Sequence, residues 1–96
     1  MRITGRERLE VFCSKHVDAR GWIERWLADV ELAAWTRPQE IRNQYASASF
    51  LPDNIVVFNV KGNAYRLEVV IGYRIATVAI RWAGTHKEYD RRNRRR

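Results

Sequence analysis

Cysteine, proline and long apolar runs are all scarce in this chain of 96 residues. Cys13 is its one cysteine, which excludes an intramolecular disulfide framework, a redox pair of cysteines and a cysteine-rich zinc site. No stretch approaches the ~18 apolar residues that span a membrane, and the first residues lack the apolar run of a signal peptide. These absences predict a soluble, unprocessed cytoplasmic protein without a membrane partner.

Metal-binding residues are few and scattered. The two histidines, His16 and His86, lie far apart in the sequence, and no cluster of carboxylates accompanies either of them. We therefore expect neither a metal site nor a cofactor. With 46% apolar residues the chain is large enough to bury roughly 60% of its unfolded surface, so residues 1–90 are predicted to form a single domain.

Positive charge is concentrated in the second half of the chain. Residues 1–40 carry seven basic and seven acidic side chains, whereas residues 41–96 carry eleven basic and four acidic ones, which is the whole net charge of +7. This asymmetry predicts an anionic partner, and nucleic acid suits it better than a membrane because the basic end has no apolar face. Residues 91–96 are predicted to be a disordered basic tail, which either contacts RNA or is simply solvated.

Helical spacing of apolar residues dominates the first half. Thr4-Gly5-Arg6-Glu7 fits a capping box, so a first helix is predicted from about Gly5 to His16. A second helix follows Asp18, whose side chain can cap it, and Pro38 favours a short third helix. Three tryptophans of this half could stack on bases, but their helical spacing assigns them to the core: Trp22, Trp26 and Trp35.

From Asn54 onward the apolar residues alternate with a period of two, which is typical of β-strands. Strands are predicted at residues 55–60, 64–73 and 76–83, with a short edge strand at residues 1–3. Lys61-Gly62-Asn63 is the predicted turn of an antiparallel hairpin, because Gly62 and Asn63 tolerate positive φ. The predicted core faces consist of Val56, Phe58, Val60, Tyr65, Leu67, Val69, Ile71, Val78, Ile80 and Trp82. We expect an α+β fold with two to three N-terminal helices packed on one face of a small antiparallel β-sheet.

The same alternation directs basic side chains to the opposite face of the sheet. Arg66 and Arg81 emerge there beside Asn59, and two arginines among small residues can clamp a phosphate through bidentate hydrogen bonds. The alternative is that both arginines are ordinary solvated strand residues, with Arg66 paired to Glu68. On the residues alone, both interpretations stay open.

A short polar segment follows the last predicted strand. Thr85 can cap a helical turn that places His86, Tyr89 and Asp90 on one side. Metal-free RNA cleavage needs a base for the 2′-hydroxyl proton, an acid for the leaving 5′-oxygen, and cations for the charge at phosphorus. An imidazole, a phenol and neighbouring cations can supply these functions, with Glu88 or Asp90 orienting the imidazole or serving as the base. An ordinary surface histidine and a packed tyrosine are the alternative interpretation.

Two segments resemble the defining motifs of a known family. One is Val-Phe-Asn-Val-Lys-Gly-Asn-Ala-Tyr-Arg at 57–66, and the other is Ile-Arg-Trp-Ala-Gly-Thr-His-Lys-Glu-Tyr-Asp at 80–90. Together they resemble the HigB-type toxins of bacterial toxin–antitoxin pairs, small endoribonucleases of the RelE-like superfamily. Upstream support comes from Trp35, Pro38, Ile41, Tyr45 and the Ser-Ala-Ser-Phe of 47–50. The chain departs from the family pattern at Lys61, where the turn often carries Gly, and in its Arg-rich tail.

The resemblance implies a RelE-like fold and a metal-independent endoribonuclease that cleaves mRNA on the ribosome, in the bacterial cytoplasm, and so inhibits translation. It also implies a HigA-type helix-turn-helix antitoxin as partner, with operator DNA reached only through the antitoxin complex. Combined with the chemistry above, it selects as catalytic candidates Arg66, His86, Tyr89, Arg81 and Lys61. The RNA-binding candidates are Asn59, Asn63, Lys87, Arg91 and Arg92.

Two other hypotheses use the same basic face. One is a non-catalytic module that binds RNA or the ribosome, and the other is an interaction subunit of a DNA-binding repressor complex. Equal losses of binding and cleavage on substitution of Arg66 would favour the non-catalytic module.

Overall fold

The computed structural model describes residues 1–93. Its secondary structure follows the predicted order of helices and then strands, with one strand ahead of the helices. The elements are β1 (Arg2–Thr4), α1 (Arg6–Lys15), a 3-10 turn (Val17–Ala19), α2 (Arg20–Leu32), α3 (Pro38–Gln44), β2 (Ser49–Leu51), β3 (Ile55–Val60), β4 (Tyr65–Gly72), β5 (Thr77–Thr85) and α4 (His86–Asn93). None of these helices is long and apolar enough to cross a membrane.

The five strands form one open sheet in the order β1-β5-β4-β3-β2. Strands β2 to β5 are antiparallel neighbours, as predicted from the hairpin pattern, but β1 pairs with β5 in parallel. The sheet is therefore mixed, because the predicted edge strand joins an otherwise antiparallel sheet in the parallel direction. No hairpin links β1 to β5, because helices α1 to α3 and the other strands lie between them, so no short turn dictates their direction. Strand β2 was not predicted, since three residues show too little alternation.

Helices α1, α2 and α3 cover one face of this sheet and confirm the predicted α+β architecture. Trp26 meets Phe58 edge-on with ring centroids 5.4 Å apart, and Tyr45 meets the same ring at 5.2 Å. The core assignment of the tryptophans is confirmed, with two buried and Trp22 half-buried against the cluster. The buried apolar cluster consists of Leu9, Phe12, Cys13, Ala19, Ile23, Trp26, Val30, Trp35, Ile41, Val56, Phe58, Val60, Leu67, Val69, Ile71, Val78 and Ile80.

Two predicted helix caps are wrong. Helix α1 begins after Gly5 at φ 83°, with no side-chain cap, and an ideal Cβ at this glycine would lie 2.7 Å from the carbonyl oxygen of Ile80. The close approach of α1 to β5 therefore requires glycine and replaces the expected capping box. Helix α2 likewise has no side-chain cap: its N-cap residue is Ala19, and the carboxylate of Asp18 accepts a hydrogen bond from Tyr65 instead.

A β-bulge in β5 changes which side chains face the core. Val69 pairs with Ile80, but Glu68 pairs with Trp82, so Arg81 is an extra residue in β5. One inserted residue moves every following side chain to the other face of the sheet. Trp82, predicted in the core, therefore lies on the outer face, while Ala83 packs against the core.

Helix α4 follows β5 directly and packs on the outer face, through Arg92 against Glu68. It extends to Asn93, so Arg91 and Arg92 are helical and the prediction of a disordered tail is wrong for these two residues. The rest of that prediction, residues 94–96, lies outside the described residues. In the turn between β3 and β4, the positive φ angles are at Lys61 and Gly62. The sequence had suggested Gly62 and Asn63 for these angles.

Candidate functional site

Arg66 lies at the start of β4 on the outer face of the sheet, opposite Asn59 of β3. Its guanidinium donates from Nη2 to Oδ1 of Asn63 at 3.1 Å and from Nη1 to the carbonyl oxygen of Tyr65 at 3.2 Å. The side chain of Asn59 is also held, since its Nδ2 donates to the carbonyl oxygen of Ser47 at 3.1 Å. Arg66 is half-buried and oriented by neutral oxygens, so its positive charge is not neutralised by the partners that orient it.

Helix α4 begins beside this arginine. The backbone N–H of His86 donates to the carbonyl oxygen of Ala64 at 3.2 Å, and Gly84 is the residue opposite Arg66 in the sheet. Nδ1 of His86 lies 3.2 Å from Oδ2 of Asp90, one helical turn further on. Of the two acidic residues considered from the sequence, Asp90 is thus the one in position to orient the imidazole. We call Asn59, Asn63, Arg66, His86 and Asp90 the Arg66–His86 site.

Glu88 lies at the start of α4 and pairs with Thr85, not with the imidazole of His86 that was considered as its partner from the sequence. It forms a capping box with Thr85: the Thr85 N–H donates to Oε1 of Glu88 at 2.8 Å, and the Glu88 N–H donates to Oγ1 of Thr85 at 3.1 Å. The predicted cap of this helix is confirmed. The hydrogen bond from the Thr85 N–H holds the pKa of Glu88 below its ordinary value.

This lowered pKa predicts a pH dependence of α4. A carboxyl group with a folded-state pKa below its unfolded-state value stabilises the fold above the unfolded value of 4.5, and this stability is lost as the pH falls through the folded value. We expect Glu88→Gln to lower the free energy of unfolding by roughly 0.3–1 kcal/mol at neutral pH and by progressively less in acid. Thermal melts of both proteins between pH 7 and pH 3 measure this, with the exposed Glu24→Gln as control. A constant difference at all pH values would contradict it.

Glu68 is the buried acidic residue of the outer face. Its side chain is 0% exposed, with Oε1 at 2.8 Å from Nη1 of Arg92 and Oε2 at 3.8 Å from Nε of Arg81. Sequence reasoning placed Glu68 beside Arg66 but did not foresee that α4 covers it. Two of the predicted functional arginines, Arg81 and Arg92, therefore have Glu68 as an acidic partner within the protein. The contact of Arg92 also joins α4 to the sheet.

Substitution of Arg92 tests this connection. Breaking a buried ion pair leaves one charge inadequately compensated, which costs about 3–5 kcal/mol when both groups are buried. Because Arg92 is 29% exposed, we expect Arg92→Ala to lower the free energy of unfolding by less, roughly 2–3 kcal/mol. The neighbouring exposed arginine gives a matched control, since Arg91→Ala should change the free energy of unfolding by at most about 0.5 kcal/mol. Urea unfolding of both variants measures the difference, and equal values would show that the Arg92–Glu68 contact does not anchor α4.

Lys61 is also paired within the protein. Its ammonium lies 3.6 Å from Oδ2 of Asp18, whose Oδ1 accepts a hydrogen bond of 2.7 Å from the Tyr65 hydroxyl. This bond lowers the pKa of Asp18 and raises that of Tyr65. The ring of His16 lies 4.9 Å from the Tyr65 ring. Sequence reasoning missed this cluster because its members come from two distant segments, residues 16–18 and 61–65, and share no motif.

The remaining predicted residues lie along α4. The ring of Tyr89 is 6.0 Å from that of Trp82, and Lys87 and Arg91 are exposed. The structure therefore brings most of the predicted residues into two groups, one at the Arg66–His86 site and one under α4 around Glu68. Lys61 lies apart from both, beside Asp18. In residues 1–93 there is no group of three or more His, Cys, Asp or Glu side chains that could hold a metal ion.

An α+β domain of this size, with helices α1 to α3 on one face of a five-stranded sheet and arginines and α4 on the other, is compatible with the RelE-like fold. The family of HigB toxins, described as the RelE-like toxic component of a toxin–antitoxin system, matches residues 19–92. The match spans most of the chain and includes both motifs and the whole Arg66–His86 site. The chain belongs to this family. No curated protein matches it. Membership implies that the partner of this toxin is an antitoxin.

Proposed function

We propose that this toxin is a metal-independent endoribonuclease that cleaves mRNA, acting on translating ribosomes in the cytoplasm. The observation that carries the proposal is the Arg66–His86 site. The guanidinium of Arg66 is oriented by two neutral oxygens. It lies beside helix α4, which carries the imidazole of His86 and the carboxylate of Asp90. A cation and a titratable base are what cleavage by the 2′-hydroxyl requires.

In the proposed reaction His86 is the general base. Asp90 engages Nδ1, which leaves Nε2 to take the proton of the 2′-hydroxyl and fixes the orientation of the ring. The 2′-oxygen attacks the adjacent phosphorus, the bond from phosphorus to the 5′-oxygen breaks, and a 2′,3′-cyclic phosphate forms. Tyr89, one turn along the same helix, is the proposed acid that protonates the leaving 5′-oxygen.

Arg66 is the proposed stabiliser of the negative charge that develops on the phosphoryl oxygens. Its hydrogen bonds to Asn63 and to the backbone fix its position before the substrate binds, so little reorganisation is needed in the transition state. We assign Arg81, Lys61 and Lys87 to contacts with neighbouring phosphates. Arg81 and Lys61 each have an acidic partner in the protein and so contribute less free charge at the phosphorus.

Cleavage by the purified protein tests the proposal. We expect mRNA on translating ribosomes, or free RNA, to be cut into fragments that begin with a 5′-hydroxyl, and we expect expression of the toxin alone to stop growth. RNA binding without cleavage would instead favour the non-catalytic module. Binding to DNA without any effect on RNA would favour the repressor subunit.

For the partner we propose a helix-turn-helix antitoxin of the HigA type encoded beside the toxin. A basic face that carries the proposed chemistry is best neutralised by a tightly bound partner with complementary charge. Co-expression of the adjacent gene should restore growth, and the two chains should purify as one complex. Unimpaired growth during high expression of the toxin alone, with no small protein co-purifying, would contradict both the partner and the toxicity.

A further inference from the structure

The β-bulge at Arg81 has placed an aromatic ring outside the Arg66–His86 site. Trp82 is half-buried on the outer face, and Cζ of Arg92 lies 5.2 Å from its ring centroid. A large aromatic ring beside a guanidinium is a common arrangement in sites that stack nucleobases, because a base presents a π-face to the ring and a phosphate to the cation.

Room for the ring is provided by the glycine two residues further on. An ideal Cβ at Gly84 would lie 2.6 Å from Cζ2 of Trp82 and 2.9 Å from Oε1 of Glu88. The indole therefore lies across β5 over Gly84, and a side chain at position 84 would clash with it. Since Gly84 is opposite Arg66, the ring lies on the strand next to Arg66 and near its level, although the Cα of Trp82 is about 7 Å further along β5.

Beside the ring a groove runs along the open edge of β5. Strand β1 ends at Thr4, opposite Ala79, and among residues 1–93 no strand continues the sheet beyond it on that side. A cavity of about 350 Å³ fills this space between the ring and α1, at the small end of the range for ligand pockets. We call it the Trp82 groove. Its lining residues are Glu7, Arg8, Val11, Arg81, Trp82 and Ala83.

The lining of the Trp82 groove combines apolar surface with cations. Val11 is 58% exposed there and extends the apolar surface of the indole. Arg8 and Arg81 lie on the same walls, and a second cavity of about 310 Å³ on the side of α4 adds Arg91 and Arg92 around the same tryptophan. The carboxylate of Glu7 disfavours a phosphate at its own position but can accept hydrogen bonds from the amino group of a base.

We infer that the Trp82 groove is a nucleobase subsite, in which a base of the RNA near the scissile phosphate stacks on Trp82 while its backbone contacts the surrounding arginines. The inference rests on the proposed function and extends it by assigning a base-binding residue outside the catalytic group. It separates two roles of the outer face: the Arg66–His86 site performs the chemistry, and the groove holds the strand through a base. The competing role for Trp82 is to pack α4 through Tyr89 and Arg92.

Binding to RNA that cannot react distinguishes these roles. The probes are short 2′-O-methyl RNA oligomers, which lack the nucleophilic hydroxyl, and matched oligomers of the same length with abasic positions. We expect the wild type to bind the base-containing oligomer roughly tenfold or more tightly than the abasic one. Trp82→Leu should remove most of this preference and leave binding to the abasic oligomer nearly unchanged, whereas Trp82→Phe should retain much of it.

Trp22→Phe is the matched control, because Trp22 is half-buried next to Tyr45 beside the core. Base-containing RNA should quench the fluorescence of the wild type and of Trp22→Phe, but the quenching should be much reduced in Trp82→Phe. If folded Trp82→Leu keeps the preference for bases and only melts at a lower temperature, Trp82 packs α4 and the inference is overturned. If the wild type cleaves RNA without preferring bases, the subsite alone is wrong. If it neither binds nor cleaves RNA, the proposed function fails with it.

Discussion

Replacing Arg66 by alanine should lower the rate of RNA cleavage by roughly 10²–10³-fold, the effect of removing one pre-oriented group that stabilises charge in the transition state. The side chain is already held by Asn63 and the Tyr65 carbonyl, so the folded protein has oriented it in advance. In the proposed reaction its charge is needed most when negative charge develops at phosphorus. The loss should therefore be in kcat far more than in KM or in RNA affinity.

Another arginine of the same half of the chain provides the control. Arg74 is exposed in the turn between β4 and β5, at the end of the sheet opposite the Arg66–His86 site. Arg74→Ala removes the same charge and should leave kcat nearly unchanged. Single-turnover cleavage and equilibrium binding of both variants provide the comparison. If Arg66→Ala weakened binding and cleavage equally, Arg66 would be a phosphate contact, and the non-catalytic hypothesis would gain.

Most of the fold could be predicted because local patterns determine it. Alternation in β3 and β4 places Val56, Phe58 and Leu67 in the core, and it places Asn59 and Arg66 on the outer face. The cap at Thr85 was equally visible, because both of its hydrogen bonds join residues three apart.

The errors arise where tertiary contacts override the local pattern. The bulge at Arg81 reverses the faces of Trp82 and Ala83, and the segment contains no glycine or proline at the bulged position that would have indicated it. The capping box at Thr4 failed because α1 approaches β5 so closely that Gly5 adopts a positive φ. Strand β1 could be predicted as an edge strand, but its parallel direction depends on the packing of the intervening chain.

The candidate site likewise has a part that could be predicted from the sequence and a part that could not. Its composition and the outer face on which Arg66 lies follow from the sequence, because alternation fixes side-chain direction. The acidic partners of Lys61 and Arg92 do not, because Asp18 and Glu68 lie far from them along the chain. These pairs change the expected roles: a lysine or arginine with an acidic partner is a weaker candidate for direct action at the phosphorus than Arg66.

A second large loss of cleavage is expected when the proposed nucleophile, the 2′-hydroxyl of the RNA, is removed. If the 2′-hydroxyl attacks phosphorus, one 2′-deoxy substitution at the scissile nucleotide should abolish cleavage there, and the products should carry a 2′,3′-cyclic or 3′-phosphate and a 5′-hydroxyl. His86→Ala should slow the reaction by about a hundredfold or more, and Tyr89→Phe similarly if the phenol is the acid. Asp90→Asn should have a smaller effect than His86→Ala, because Asp90 orients the imidazole and does not contact the substrate in this mechanism.

Cleavage of free RNA in excess EDTA decides between this mechanism and a metal-dependent one. The described residues offer no set of ligands for a divalent ion, whereas in the proposed mechanism His86, oriented by Asp90, is the base and Arg66 is the cation. We therefore expect the rate in EDTA to equal the rate in magnesium when the RNA substrate is unstructured. A 2′-deoxy substrate that is still cut, fragments that begin with a 5′-phosphate, or activity that returns only with added metal would each rule out attack by the 2′-hydroxyl without a metal. The endonuclease would then need a metal site formed with the substrate or the ribosome.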